Sequence, residues 1–170
     1  MLHPRNGFTL IELMVVMVII SVLGTIGMLT FRTSQVKARD TKRKNDLQAI
    51  TRGLESYYND FGDYPLSDAP GNILGCGDVG SVCLWGESFG GTETTYLTAL
   101  PTDPVSSWRY VYEYVTGKGY RLYARLENTE DSSRRANGYP MVCDPDGLGV
   151  EQYCNYFIAS PIVSDPVERP

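Results

Sequence analysis

The chain has 170 residues and a formal net charge of −5, and its charges are unevenly divided. Residues 1–52 carry eight Lys or Arg against three Asp or Glu, a balance of +5, whereas residues 53–170 carry seven against seventeen, a balance of −10. A nucleic-acid groove needs a positive surface, so the acidic C-terminal part argues against a nucleic-acid partner. Beyond residue 31, 139 residues remain, which suits one modest domain.

Residues 8–31 form an apolar stretch with a single charged side chain, Glu12. The stretch exceeds the roughly 20 apolar residues that a helix needs to cross a bilayer. A secretory signal would end its apolar region with a small-residue cleavage site, whereas here the small residue, Gly7, precedes the apolar region. Cleavage after Gly7 would remove residues 1–7 as a polar leader and leave the whole apolar helix, now beginning at Phe8.

Glu12 needs a physical reason to lie in this stretch. A carboxylate at the centre of a membrane helix costs roughly 2.5 to 3.5 kcal/mol on insertion scales. After cleavage, the α-amino group of Phe8 would be cationic at neutral pH and one helical turn away. We predict that Glu12 pairs with this amine, in the same chain or in a neighbouring one. The alternative is that Glu12 lies near the lipid headgroups.

The segment Gly7-Phe8-Thr9-Leu10-Ile11-Glu12 resembles the processing motif of type IV pilins and of type II secretion pseudopilins. The resemblance implies that a prepilin peptidase cleaves after Gly7, that Phe8 becomes the methylated N-terminus, and that Glu12 directs assembly. It also implies three further partners: other copies of the chain in a helical homopolymer, minor pilins or pseudopilins, and an inner-membrane assembly platform.

The residues after the apolar stretch bear on the orientation in the membrane. Basic side chains follow it, at Arg32, Lys37, Arg39 and positions 42–44. The positive-inside rule would place the C-terminal part in the cytoplasm. We predict the opposite, an extracytoplasmic C-terminal domain, because the leader motif implies a dedicated pathway and four cysteines suit an oxidising compartment. The basic cluster is then a solvated helix face, or a contact to anionic headgroups or to another subunit's acidic head.

Apolar side chains beyond the stretch recur at steps of three and four, which indicates that the helix continues. They are Leu47, Ile50, Leu54, Tyr57 or Tyr58, and Phe61. Gly62, followed by Pro65, predicts the helix end near residue 62. We therefore divide the chain into a leader (1–7), a membrane and assembly segment (8–31), and a continued helix with its globular head (32–170).

The head itself has the pattern of an antiparallel sheet. Residues 66–96 are rich in Gly, Ser, Thr and Asp and predict an irregular connection. Strand periodicity predicts a hairpin with strands Trp108–Val115 and Tyr120–Glu127, and a last strand over Tyr153–Ala159. The segments around Tyr64-Pro65, residues 97–104 and Tyr110 to Tyr112 resemble the head of the major type II pseudopilin. The resemblance implies an α+β, pilin-like fold in which a long, membrane-spanning N-terminal helix packs on a small antiparallel sheet.

Four cysteines predict two disulfides, for which the sequence alone permits three pairings. We favour the local pairs Cys76 with Cys83 and Cys143 with Cys154, each closing a short loop. The second pair resembles, by position, the bond that closes a C-terminal loop in pilins. A zinc site is the rival interpretation, but six and ten intervening residues do not match the usual spacing of close ligand pairs.

An acidic segment follows Cys143. Asp144 and Asp146, with Glu151 beyond, could supply oxygen ligands to a calcium ion, and major pseudopilins, which the head resembles, have a calcium site in their C-terminal loop. The same Asp-Pro-Asp-Gly segment is equally natural in a turn without a metal. We expect no other cofactor.

No enzyme is indicated. The only histidine, His3, lies in the predicted leader, so the mature chain would lack an imidazole base. We predict a structural subunit of a type IV pilus-like filament, either a pilin or the major pseudopilin of type II secretion, that waits in the inner membrane and then enters a helical fibre. The alternative is a membrane-anchored extracytoplasmic binding module that does not polymerise.

Overall fold

The computed structural model describes residues 7–76, 80–91, 93–117, 119–145, 153–163 and 166, with the side chains of residues 26–30 left aside. The chain forms two compact units, Met1–Ala38 and Arg39–Pro170. One helix and seven short strands follow one another along the described residues. The predicted α+β class, with a long N-terminal helix and small antiparallel sheets, is confirmed.

Helix α1 spans Leu10–Phe61, 52 residues without a break. It ends where the sequence predicts, because Gly62 adopts a φ of 76° and its N–H donates to the carbonyl of Tyr58 at 2.7 Å. This left-handed residue is the common glycine C-cap. In the part of the chain that the structure describes, no helix combines the length and the apolar character needed to cross a membrane.

The strands form three antiparallel sheets. Strands β1 (Ile73–Leu74) and β2 (Val82–Cys83) pair, as do β3 (Phe89–Gly90) and β4 (Thr95–Leu97). The largest sheet has the order β5-β6-β7, with β5 at Val111–Val115, β6 at Gly119–Ala124 and β7 at Tyr156–Ala159.

The hairpin and the last strand are confirmed, with ends that differ from the prediction. Strand β5 begins at Val111 rather than Trp108, and β6 ends at Ala124 rather than Glu127. Beyond these points, the Trp108 indole N–H donates to Asp144, and Glu127 accepts from Arg43 of α1. The predicted irregular connection over 66–96 was wrong in part, because it contains β1, β2, β3 and the start of β4.

The main sheet is buried on both faces. Tyr112 and Leu122, which pair across β5 and β6, pack with Leu47, Ile50 and Leu54 of α1, and all five are fully buried. Successive strand residues point to opposite faces. The adjacent pair, Val111 with Tyr123, therefore joins a second cluster with Tyr139, Cys143 and Cys154 on the other side.

The apolar stripe of α1 is shorter than the sequence suggests. Tyr57 packs against the first cluster, whereas Tyr58 is 42% exposed and Phe61 is 64% exposed. Phe61 lies in the last turn of the helix, and its ring contacts the Tyr57 ring in a tilted arrangement with centroids 4.5 Å apart. Phe61 therefore shares the spacing of the apolar stripe but does not belong to the core.

Candidate functional site

The N-terminal motif is organised as a helix cap. Thr9 precedes the first helical residue, and both its backbone N–H and its hydroxyl donate to Glu12 Oε2, at 2.8 and 2.7 Å. The backbone N–H of Glu12 faces the Thr9 hydroxyl at 3.3 Å. This reciprocal pattern is the capping box, in which a threonine and a glutamate three residues later satisfy the free donors of the first turn. Gly7 and Phe8 precede the cap, and Phe8 is 87% exposed.

The first half of α1 presents its apolar side chains to the outside. Large hydrophobic residues from Leu10 to Leu23 are each at least 45% exposed. Two hydroxyls in this half are already satisfied, since Ser21 donates to the Met17 carbonyl at 2.7 Å and Thr25 donates to the Ser21 carbonyl at 2.9 Å. Such back-bonding satisfies the two hydroxyl donors within the helix itself. This surface thus needs an apolar environment, and Glu12 is the one charge within residues 8–31.

The second half of α1 carries a buried ionic cluster. Arg43 is fully buried, and its guanidinium donates to both oxygens of Asp103, at 2.8 and 2.9 Å. Its third nitrogen donates to Asp40 and to Glu127, each at 2.7 Å. The guanidinium also lies 4.7 Å from the centre of the Trp108 ring. A bidentate arginine–carboxylate pair is both strong and geometrically specific.

Neighbouring basic residues pair with the same head. Arg39 donates to both oxygens of Glu127, and Lys44 donates to Asp131 at 2.7 Å. Asp40 in turn accepts the backbone N–H groups of Glu127 and Asn128, at 3.0 and 2.7 Å. The interpretation of this basic cluster as a solvated face was therefore wrong for Arg43, and Arg39 and Lys44 meet the acidic head of their own chain.

These contacts shift several pKa values. The hydrogen bond from Arg39 lowers the pKa of Glu127 below its usual range, against the opposing effect of burial, and Lys44 likewise lowers the pKa of Asp131. Burial alone would lower the pKa of Arg43, but the carboxylates of Asp103 and Glu127 outweigh burial and raise it. Glu127, Asp131 and Arg43 are therefore charged at neutral pH.

The tyrosines of the head are structural. Tyr110 donates to Asp46 of α1 at 2.7 Å, and Tyr112 donates to the carbonyl of Pro65 at 2.6 Å. Tyr64 and Tyr120 both donate to Glu55. Burial, followed by the Glu55 carboxylate, raises the pKa of Tyr64 to about 12. The sheet thus presents phenol groups to carboxylates of the helix, a pattern that fits a packed core.

Both predicted disulfides are present, Cys76–Cys83 and Cys143–Cys154. The first links the β1 end to β2. The second is fully buried at both cysteines and lies beside the isolated bridge that pairs Val142 with Tyr153. The zinc alternative is therefore set aside in favour of the local crosslinks that the sequence favoured.

Of the three predicted calcium ligands, Asp144 lies in the described part of the chain, whereas Asp146 and Glu151 lie outside it. Asp144 Oδ2 accepts from the indole N–H of Trp108 at 3.0 Å and lies 3.6 Å from Arg125. Asp144 Oδ1 is buried and has no hydrogen-bond partner within the described residues. Those residues contain no cluster of three acidic, cysteine or histidine side chains suited to a metal.

Sequence reasoning overlooked two features that the residue spacing already contained. The Thr9-x-x-Glu12 spacing is itself the signature of a capping box. Asp40 and Arg43 stand on the same three-and-four spacing as Leu47, Ile50 and Leu54, which places them on the buried face of α1. Their partners, Asp103 and Glu127, are 60 and 84 residues further along, so only the fold brings them together.

The N-terminal residues match a known family model. Residues 2–28 match the prokaryotic N-terminal methylation motif. This motif at the start of a long helix, followed by small antiparallel sheets, defines the chain as a pilin-like protein.

The similar proteins narrow this class. The chain is 36% identical to the type II secretion system core protein G of Escherichia coli K12 over 127 residues, which cover 75% of this chain and 83% of that protein. It is 31% identical to the core protein G of Pseudomonas aeruginosa over 113 residues, which cover 66% and 75%. The chain therefore belongs to the type II secretion system core protein G family.

A pilin is also similar over a shorter range. The type IV major pilin protein PilA of Myxococcus xanthus is 36% identical over 63 residues, which cover 36% of this chain and 29% of that protein. No solved structure matches the chain.

Proposed function

We propose that this chain is the major structural subunit of a secretion pseudopilus, cut after Gly7 and assembled through its apolar helix. The observation that supports this most directly is the exposed apolar surface of α1 between Leu10 and Leu23, next to a methylation motif. Apolar surface of this extent is unfavourable in water. We propose that the inner membrane covers it before assembly and that the same helix of neighbouring copies covers it afterwards.

The proposed assembly follows from the type of contact. A contact between different faces of identical subunits does not close on itself, so it yields a helical fibre. The small residues Ser21, Gly24 and Thr25 would let helices approach closely. The proposed partners are a prepilin peptidase, an inner-membrane assembly platform, minor pseudopilins and further copies of this chain. The role is structural rather than enzymatic, and the head is extracytoplasmic.

Glu12 has two successive roles in this proposal. In the uncut chain its carboxylate caps α1 by accepting from Thr9. After cleavage, the new amine at Phe8 offers a cation close to this carboxylate, and we propose that Glu12 pairs with the amine of a neighbouring copy. An unpaired buried charge is costly, so this pair would favour one register of the helices.

The range of the sequence similarity favours a pseudopilin over a pilus subunit. The core protein G relatives match this chain over most of their length, including the head, whereas the match to PilA covers 29% of that pilin. A pilus subunit is the second candidate. A membrane-anchored module that does not polymerise is the third.

The first test is the intact mass of the protein in non-reducing conditions, measured separately in sheared surface material and in membranes. We expect a chain that begins at methylated Phe8 and is four hydrogens lighter because of its two disulfides. We expect most of it in the membrane fraction. Abundance in the sheared fraction would favour the pilus instead. An uncut chain beginning at Met1 would contradict the whole proposal.

The second test separates processing from assembly. We expect Glu12→Ala to be cut normally yet to form few or no filaments, as measured by electron microscopy and by crosslinking of neighbouring copies. Glu12→Gln is the matched variant, since it keeps the shape and part of the helix cap but removes the charge. Wild-type filament yield from both variants would overturn the role of Glu12.

We also propose a calcium ion near Asp144, with Asp146 and Glu151 as its further ligands. The buried Oδ1 of Asp144, which lacks a partner among the described residues, supports this proposal. Carboxylate oxygens are the ligands that calcium prefers, and the bound ion would stabilise the folded head. Calcium is expected to raise the Tm of the wild-type chain more than that of Asp144→Asn, and equal shifts would argue for a metal-free turn.

A further inference from the structure

A cavity of about 420 Å³ lies beside the loop that leads into β5. Both tryptophans of the chain, Trp85 and Trp108, line it. Thr102, Asp103, Ser106 and Arg109 form much of the remaining wall. The cavity therefore combines flat aromatic surfaces with hydroxyl groups and one acidic and one basic side chain.

Arg109 brings a positive charge that no described acidic side chain neutralises. Its Nε lies 3.5 Å from the carbonyl of Val142, and it forms no ion pair with any described residue. By contrast, Arg121 pairs with Glu113 and Arg125 with Asp144. An arginine fork presents several donors in one plane, a geometry that matches the paired oxygens of a carboxylate or a phosphate.

The acidic side chain in the wall does not compete for Arg109. Both oxygens of Asp103 accept from the buried Arg43, and Oδ1 also accepts the backbone N–H of Val105 at 2.8 Å. Both oxygens of Asp103 are therefore already occupied by hydrogen bonds on the inner side of the wall. Arg109 is the basic side chain among the described lining residues.

A second donor in the wall is the indole N–H of Trp85. The indole nitrogen of Trp85 is buried and has no hydrogen-bond partner among the described residues. A buried donor without an acceptor is unfavourable, so a ligand oxygen that reached it would be favoured. The cavity thus offers a ligand oxygen two donors, the charged guanidinium of Arg109 and the neutral indole N–H of Trp85.

We propose that this cavity binds a carboxylate group, and that the carboxylate is an acidic side chain of a neighbouring copy of the chain. The chain offers many such groups, since residues 53–170 carry seventeen Asp or Glu against seven Lys or Arg. Heads with a charge of −10 would repel one another when packed together. A pairing between Arg109 and a neighbour's carboxylate would offset part of this repulsion. The assignment of the carboxylate to a neighbouring copy rests on the proposed assembly, whereas the binding of a carboxylate in this cavity does not depend on it.

Tryptophan fluorescence tests the chemistry directly, because both tryptophans of the chain line the cavity. The full-length chain, in detergent and dilute enough to be monomeric, is titrated with N-acetyl-aspartate and, separately, with N-acetyl-asparagine at matched ionic strength. We expect a saturable change with the acid, and binding of the neutral amide that is weaker by about tenfold or more, which corresponds to about 1.4 kcal/mol.

Two variants serve as a matched pair in this titration. Arg109→Gln is expected to abolish the preference for the acid, whereas Arg121→Gln, which alters an arginine that is already paired, keeps it. Trp85→Phe keeps an aromatic wall and removes the indole N–H, so it should weaken binding less than Arg109→Gln does. Equal responses to acid and amide, or a response that Arg109→Gln leaves intact, would overturn the carboxylate site.

Crosslinking in assembled material identifies the source. In Arg109→Lys, a carbodiimide can join the new amine to a carboxylate in contact with it; an amide forms, and the water lost converts the carbodiimide to a urea. Filaments assembled from equal amounts of light and heavy-nitrogen copies are expected to yield mixed-isotope crosslinks at position 109, above those in Arg121→Lys at position 121.

The outcomes of these tests are separable. Crosslinks at position 109 within single copies only, or none at all, would overturn the neighbouring copy as the source. If wild-type chains do not assemble, the proposed function fails and the neighbour fails with it. The titration in detergent still decides the carboxylate chemistry.

Discussion

A single guanidinium connects three acidic side chains that are far apart in the sequence. Arg43 pairs with Asp40 in the same helix, with Asp103 before β5, and with Glu127 after β6. Because Asp40 and Asp103 are themselves buried, removal of the arginine would leave carboxylates without a partner in a medium that penalises them.

We expect Arg43→Met to destabilise the fold by about 3 to 5 kcal/mol, the cost of breaking a buried pair. Arg43→Lys should be only partly tolerated, since an ammonium cannot form the bidentate contact with Asp103. Arg52 lies exposed on the same helix, so Arg52→Met should change the free energy of unfolding by no more than about 0.5 kcal/mol. Urea unfolding of the full chain in detergent measures all three, and equal effects of Arg43→Met and Arg52→Met would contradict the role of the cluster.

At the scale of elements, the start of β6 is fixed by a glycine. Gly119 has a φ of 129°, and a Cβ there would lie 1.9 Å from Ser160 Oγ. Gly117 in the same turn has a φ of 66° and open space around it. We expect Gly117→Ala to cost about 1 kcal/mol through its backbone alone, and Gly119→Ala to cost clearly more. Thermal unfolding compares the two, and Ser160→Gly should restore part of the loss in Gly119→Ala.

The two disulfides should contribute unequally to stability. Each closes a short loop, for which the chain-entropy model gives roughly 2 to 3 kcal/mol. Cys143 and Cys154 are fully buried within the second cluster, whereas Cys76 is partly exposed. The double replacement Cys143→Ser with Cys154→Ser should therefore lower the Tm more than Cys76→Ser with Cys83→Ser, because it also buries two hydroxyls. A larger loss from the Cys76 pair would contradict this.

The elements also separate what the sequence could predict from what it could not. The end of α1 at Gly62 and the β5–β6 hairpin follow from local signals, a glycine cap and strand alternation. Strands β1 and β2 have two residues each, too few to show a periodicity in the sequence. They are held by their pairing with each other and by the Cys76–Cys83 disulfide. The partners of Arg43 likewise depend on contacts more than 50 residues apart in the chain.

For the whole molecule, ion pairs between α1 and the head predict a dependence of stability on pH. Arg39 lowers the pKa of Glu127, and Lys44 lowers the pKa of Asp131. The two carboxylates therefore stabilise the fold at any pH above their pKa values in the unfolded chain, near 4.5 and 3.8. That stabilisation is lost as the pH falls through the lower, folded values. The free energy of unfolding should be level from neutral pH to about pH 5 and should then decrease. Glu127→Gln should be less stable at pH 7 and lose less on acidification, and an unchanged pH profile would contradict the assignment.

The buried guanidinium also has a mechanical meaning. An apolar interface can slide by a small step while most of its contacts remain, but the hydrogen bonds of Arg43 to Asp103 and Glu127 cannot. A shift of α1 along its axis by one residue is about 1.5 Å, enough to break both. In the fibre proposed above, an axial load on the part of α1 around Arg43 would reach the head through these short, directional bonds, and the head would advance with this part of the helix instead of slipping along it.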